Sequence, residues 1–364
     1  MKRRRSEITK RKFVLFSIII LFIFFVIEIG VRYTKIYMGS FDQAFPAGIT
    51  RNANPYIMFK GRAGALINAT ERHNKYGYRG SAPLVNKDDG EYRIFILGGS
   101  TVWNGDPTIP ALVQEEFIRN GYHQVKVFNY GVVSSVSSME LARIVFEIVD
   151  FKPDVIVMYN GGNDMTHPLS YDPRPGYPFN FIVNENNPLI NSSIKNSLLF
   201  LIKQFRSIGF LGGNYLINNF LSLDKVRKEA GYGTDQWRDK IAEIYINNII
   251  KARNIAKAFN SNFIVFFQPI IYSKNYVSEK EIRYVNESIK YHHVYLRDAI
   301  LSKVSDLKKR DGLNFIDLSD LYDTNKETVF IDGIHTTQQA MIPIAKEIYA
   351  KIINNFTIPG GERK

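Results

Sequence analysis

Five short runs constrain this chain more than any other feature: YRIFILG (92–98), VKVFNY (125–130), DVIVMYN (154–160), NFIVFFQ (262–268) and LNFID (313–317). Each is strand-length and almost continuously apolar, as strands covered on both faces must be. Between and after them lie stretches with helical spacing, at about 109–120, 137–150, 235–259, 277–305 and 337–353. Strand and helix alternating in this way predict an open parallel sheet with helices on both faces, a three-layer α/β/α fold. In the long pattern at 235–259, Ile241, Ile244, Ile249, Ile255 and Phe259 mark the face expected against the sheet.

The amino terminus adds a second constraint. MKRRRSEITKRK (1–12) holds seven basic residues against one Glu, +6 of the net +12, so half the excess charge is local and is not a nucleic-acid-binding surface. It runs into FVLFSIIILFIFFVIEIGV (13–31), apolar except for Ser17 and Glu28 and close to the roughly 20 residues a membrane-spanning helix needs. The cationic flank predicts that this end stays cytoplasmic and that the rest is carried to the periplasmic or extracellular side. A cleaved signal peptide is the alternative, but the run exceeds an h-region of about 7–15 residues and no small-x-small site directly follows it. The chain has no cysteine, which excludes disulfides, thiolate metal sites and a cysteine nucleophile.

This organisation divides the chain into a basic segment, a transmembrane helix at 13–31, a linking segment at 32–90 that contains NKYGYRG, and a catalytic domain at 91–356. Residues 165–232 are longer than an ordinary crossover and form a candidate lid or substrate-binding insertion. Its stretch YDPRPGYPFNFIVNENNP offers Tyr171, Tyr177, Phe179 and Phe181 either for stacking on sugar rings or for packing the loop itself.

In an open parallel sheet, ligands bind beyond the carboxyl ends of the strands. That rule selects Gly98, Gly99, Ser100 and Thr101 after the first strand, Gly131 after the second, and Gly161, Gly162, Asn163 and Asp164 after the third. VFIDGIH, after the fifth, adds Asp332 and His335. These are the parts of an acyl-transfer centre: a serine, a histidine to take its proton, an aspartate to orient the histidine, and oxyanion donors in the Ser100 and Gly131 amides and the Asn163 side chain. Asp332 and His335 are three residues apart, so one short turn carries both.

The four blocks GGSTVWNG, NYG, GGND and DGIH, in this order, resemble those of the SGNH (GDSL-like) hydrolases over residues 92–353. The resemblance implies Ser100 as nucleophile and oxyanion donor, Gly131 and Asn163 as further donors, His335 as general base and Asp332 as its partner. It also implies a flavodoxin-like fold with a five-stranded parallel sheet. Two positions depart from the family pattern: Gly99 stands where many members have Asp, and Ala340 where the helix after the histidine often has Gly. NKYGYRG is similar to a segment that precedes the first block in membrane-anchored members.

Simpler readings compete at each position. Ser100 can be a helix N-cap, Gly98 and Gly99 a phosphate-binding turn, although no Gly-x-Gly-x-x-Gly accompanies them, and Asn163 and Asp164 turn residues. A metal on Asp332 and His335 lacks a third ligand, and no cofactor is expected. The functional expectation is a membrane-anchored serine esterase acting on ester-linked acyl groups, short ones first, of cell-envelope carbohydrate or lipid. An O-acetyltransferase using the same residues, or a non-catalytic envelope binding protein on the same fold, are the alternatives.

Overall fold

The computed structural model describes residues 2–34, 51–179, 181–185, a few positions between 193 and 207, and 222–360. The chain forms two compact units, Met1–Ala47 with Phe181–Val226, and Gly48–Asn180 with Arg227–Lys364.

In the first unit, helix α1 (Lys2–Thr34) contains a stretch, Arg11–Thr34, long and apolar enough to cross a membrane, a property that an anchor and a signal sequence share. Its one carboxylate in the apolar run, Glu28, accepts from Arg32 Nε at 2.5 Å and from the Ser207 amide at 2.8 Å. A buried carboxylate needs such partners to remain charged. Of the candidate lid at 165–232, residues 186–192 and 208–221 and several positions between them lie outside the described residues.

The second unit is built on a five-stranded parallel sheet. After a hairpin of β1 (Arg51–Asn54) and β2 (Met58–Gly61) come β3 (Tyr92–Gly98), β4 (Val125–Gly131), β5 (Val155–Asn160), β6 (Asn262–Phe267) and β7 (Phe315–Asp317), in the order β4-β3-β5-β6-β7. Numbered from the first sheet strand, this is the flavodoxin-like order 2-1-3-4-5. The five expected strands are thus all present, each within two residues of its predicted start.

The pleat explains the continuous apolar character. Ile94 and Ile96 face a core shared with Val113, Phe117, Ile344 and Ile348 of α3 (Ile109–Arg119) and α8 (Gln338–Asn355). Phe95, on the opposite face, has its ring 4.9 Å from Phe128 and 5.1 Å from Tyr130. Helices α4 (Ser137–Arg143), α6 (Asp235–Ala258) and α7 (Glu287–Asp311) cover that side. Two further helices, α2 (Ser100–Trp103) and α5 (Gly162–Ser170), begin just after β3 and β5.

Three expectations about helices need correction. The pattern at 137–150 is α-helical only to Arg143, then a π turn (Ile144–Ile148) and a 3₁₀ turn (Val149–Phe151) that ends at Lys152 in the left-handed region. The helix expected from 277 starts at Glu287, because the Asn286 side chain caps it by accepting from the Ser288 and Ile289 amides. On α6 the buried stripe runs through Ile241, Tyr245, Ile249, Ala252 and Ala256, while Phe259 lies beyond the helix and is exposed.

The segment from 51 to 90 belongs to this unit and completes its buried polar bonding. Arg93, wholly buried on β3, donates to the carbonyls of Leu84, Asn86 and Phe151. Glu147 of the π turn accepts from Lys60 at 2.7 Å and from the Tyr78 hydroxyl. Removing 51–90 takes the Leu84 and Asn86 carbonyls from Arg93, leaving it Phe151 O and Glu91, and takes Asn54, Lys60 and Tyr78 from Glu147. Under-paired charges of this kind are costly. Deleting these residues is expected to lower the thermal midpoint by about 10 °C or more, or to abolish cooperative unfolding, as read by circular dichroism.

Candidate active site

The sheet register gathers the candidate residues. Gly98 pairs with Gly131 on one side and Tyr159 on the other, so the turns after β3, β4 and β5 leave the same edge. At the first, Gly99 is the N-cap of α2 and Ser100 its first residue; no side chain caps this helix. Ser100 is therefore not an N-cap. Its Oγ lies 2.6 Å from His335 Nε2. Being in the first turn, the Ser100 N–H has no intrahelical acceptor.

His335 and Asp332 sit on a tight loop closed by an antiparallel bridge between Phe330 and Thr336. Asp332 Oδ2 is 2.6 Å from His335 Nδ1, and Oδ1 accepts from the amides of Ile334 (2.8 Å) and His335 (2.7 Å). Burial acts to raise the Asp332 pKa, but the hydrogen bonds from the His335 ring and from the two amides together hold it below the ordinary value. The carboxylate can thus fix the imidazole with Nδ1 protonated and Nε2 free to accept from Ser100.

The oxyanion candidates are placed unequally. Asn163 Nδ2 donates one hydrogen to Ser135 O at 2.7 Å, which orients the carboxamide and leaves its second hydrogen for a ligand. The Gly131 N–H is taken by Asn129 Oδ1 at 2.8 Å. What the structure requires of Gly131 is its missing side chain: a Cβ there would come within 2.7 Å of the Trp103 amide nitrogen and 3.0 Å of Val102 Cβ. Gly131 lets α2 lie directly on β4.

Gly99 has a comparable cause. A Cβ at this position would sit 2.2 Å from Asn163 Nδ2. The departure from Asp is therefore coupled to the place of the Asn163 carboxamide. Asp164, next to it, accepts from the Ser137 amide at 3.0 Å and from the Ser137 hydroxyl, acting as a cap for α4 supplied from another helix. Burial pushes its pKa up to about 6, and the Ser137 bonds oppose the shift.

Several supporting groups gave no motif in the sequence. Arg143, fully buried, donates to Gly98 O (3.4 Å), Ser135 Oγ (2.7 Å) and Tyr130 O, holding the ends of β3 and β4 and the loop that orients Asn163. Nearby Glu140 accepts from Asn160 Nδ2 at 2.5 Å; burial drives its pKa up to about 8 against the opposing pull of Arg143. Under the histidine loop, the fully buried Lys274 and Glu281 pair at 2.8 Å. Glu281 Oε1 also accepts from the amides of Val329 (2.8 Å) and Phe330 (2.9 Å), just ahead of Asp332. Local sequence shows only charged residues here, because their partners are distant in the chain.

Two clefts meet at His335. One, about 380 Å³, is lined by Thr101, Asn104, Thr336, Thr337 and Gln338. The other, about 290 Å³, is bounded by Leu169, Tyr272, Tyr284, Ile289 and Ile334. Two of the insertion aromatics pack together: Phe179 is 3% exposed, with its ring 4.6 Å from Tyr171 and 5.0 Å from His167, whereas Tyr177 remains 43% exposed. Tyr177 lies under the Arg174 guanidinium, 4.1 Å from its ring centroid.

Two outcomes follow from these contacts. Gly99→Ala is expected to keep the fold but turn the Asn163 carboxamide away from Ser135 O, since the tip of a side chain yields before the backbone does; a crystal structure of the variant reads this directly. Glu140 ionises near pH 8 in the folded chain against 4.5 for an ordinary Glu, so the folded state binds the extra proton between those values and stability falls as pH rises through them. Glu140→Gln should remove that decline, worth up to about 1.4 kcal/mol per pH unit, in denaturant melts from pH 5 to 8.

No family model and no curated protein matches the chain. Among solved structures it is similar to an acetyl xylan esterase at 15% identity and a TM-score of 0.41, covering 71% of this chain and 99% of that one. It is similar to a GDSL-like lipase from Bacteroides thetaiotaomicron at 13% identity and a TM-score of 0.42, covering 74% and 92%. A lipase/acylhydrolase from Enterococcus faecalis matches at 14% identity and a TM-score of 0.41, covering 73% and 98%.

Proposed function

We propose that the chain is a serine ester hydrolase of the SGNH type, with Ser100 as nucleophile, His335 as general base and Asp332 as the group that orients it. The observation that carries the reading is the unbroken pair of contacts, 2.6 Å from Ser100 Oγ to His335 Nε2 and 2.6 Å from His335 Nδ1 to Asp332 Oδ2. Groups in hydrogen-bond reach, with the base oriented by a third group, are what activation of a serine requires.

In the proposed cycle Ser100 Oγ attacks the ester carbonyl as its proton passes to His335 Nε2. The tetrahedral oxyanion is held by the Ser100 amide and the second hydrogen of Asn163 Nδ2. The Gly131 amide joins them only by leaving Asn129 Oδ1. His335 then protonates the departing alcohol, and a water deprotonated by the same nitrogen releases the acyl group and restores Ser100.

The substrate we infer is a short acyl ester, acetyl first, on envelope carbohydrate or lipid. Among the described residues, the larger cleft carries no carboxylate or cation beside His335: Thr101, Asn104, Thr336, Thr337 and Gln338 add hydroxyls and amides to an apolar wall with Ile331 and Met341. Such a lining suits a neutral alcohol leaving group better than an anionic one. The apolar stretch of α1 supports attachment to the membrane, and the basic residues before it support a cytoplasmic amino terminus with the catalytic unit on the far side.

The test is hydrolysis of p-nitrophenyl esters, from acetate to long chains, by the full chain in detergent. Ser100→Ala and His335→Ala are expected to lower kcat by about 10⁴-fold or more, and Asn163→Ala by about 10²- to 10³-fold. Full activity in Ser100→Ala, or no hydrolysis of any ester by the parent chain, would contradict the reading.

A further inference from the structure

The segment Asn74–Gly80, NKYGYRG, has no part in the chemistry above, yet its bonds end at the nucleophile turn. The Asn74 side chain accepts from the amides of Tyr76 (2.9 Å) and Tyr78 (3.2 Å) and shapes a compact turn. From that turn Arg79, 5% exposed, extends a guanidinium whose every edge is used. Nη1 donates to Trp103 O at 2.7 Å and to Gly105 O at 2.9 Å, while Nε and Nη2 hold the two oxygens of Glu71.

Trp103 is the last residue of the single helical turn that Ser100 begins, and the Asn104 amide closes this turn on Ser100 O at 2.7 Å. The same tryptophan is gripped at two further points. Its Nε1 donates to His73 Nε2 at 3.3 Å, and the Arg79 guanidinium carbon lies 5.2 Å from its ring. A helix of one turn cannot satisfy its own terminal carbonyls, and among the described residues the charged donor on Trp103 O, and on Gly105 O just after the helix, is Arg79. From the 71–79 segment, Arg79 holds the backbone of the turn, while His73 reaches only the Trp103 side chain.

We propose that Arg79 is a positioning residue of the active centre: it fixes the Ser100–Gly105 turn so that Ser100 Oγ stays within reach of His335. The proposal rests on the reading of Ser100 as nucleophile. The planar fork matters because two carbonyls and a carboxylate are held at once, which a lysine point charge cannot reproduce. A nucleophile displaced by about 1 Å costs on the order of 10²-fold in rate, so a modest release of this turn is felt in kcat. It also gives a mechanical reason for the segment: the stretch that precedes the sheet carries part of the scaffold for the serine.

The test uses the full chain in detergent, with Arg79→Gln, Arg79→Lys, Tyr78→Phe and Ser100→Ala, assayed on p-nitrophenyl acetate together with thermal midpoints. Tyr78→Phe serves as the matched comparison, since it removes a buried hydrogen bond of the same segment to Glu147 rather than to the serine turn. Arg79→Gln is expected to lower kcat by about 10- to 100-fold with KM within about threefold, and to slow phosphonate labelling of Ser100 to the same extent. Tyr78→Phe should lose a similar amount of thermal stability with kcat within about twofold. Should Arg79→Gln not fold, Arg79→Lys carries the test, with kcat reduced at a near-parental midpoint. Equal kcat in the parent and in both Arg79 variants, or a loss that Tyr78→Phe matches, would overturn the positioning role while leaving a Ser100-dependent esterase in place. Activity that survives Ser100→Ala would overturn the ester-hydrolase reading and the positioning role with it.

Discussion

The parallel register that sets Gly98 between Gly131 and Tyr159 fixes everything downstream of it. Strands buried on both faces must end together at one edge, and the loops that leave that edge are the only parts free to meet. The serine turn, the Asn163 helix and the Asp332–His335 loop come from strands far apart in sequence, yet a hydrogen bond of 2.6 Å joins Ser100 to His335 across 235 positions. Two missing side chains make this approach possible. Gly131 lets the serine helix rest on β4, and Gly99 leaves room for the Asn163 carboxamide.

Behind this edge lies a set of buried charges whose partners are mostly backbone. Arg143 ties Gly98 O and Tyr130 O to Ser135, Glu281 with Lys274 holds the amides of Val329 and Phe330, and Arg79 holds the carbonyls of Trp103 and Gly105. Burying such groups is costly, and breaking one member of a buried pair typically destabilises by about 3–5 kcal/mol. The pattern is consistent with rigidity as its benefit: each charge pins a loop that carries a candidate catalytic group, in place of the loop's own weak preferences.

The sequence carried the frame well, for physical reasons. Two-sided burial makes the sheet strands legible as apolar runs, and short motifs mark Asn163 just after β5 and Asp332 and His335 on the loop ahead of α8. What it concealed was tertiary. The π turn at Ile144–Ile148 breaks a periodicity that reads as an unbroken helix, and Glu281 looks like one more surface acid in EKEIRY. The Gly131 amide looks available until the Asn129 side chain is placed on it. The insertion aromatics allowed two uses; Phe179 and Tyr171 pack with His167 and Phe59, while Tyr177 stays exposed beside Arg174. NKYGYRG was visible as a pattern but its target, a helix more than twenty residues later, was not.

The most direct measurement of the central claim is the site of covalent capture by an alkyl fluorophosphonate, mapped by peptide mass spectrometry on the full chain. The account predicts one adduct, on Ser100, absent after His335→Ala because the hydroxyl then has no base. An adduct on another residue, or none under conditions where the folded chain hydrolyses an ester, would contradict it.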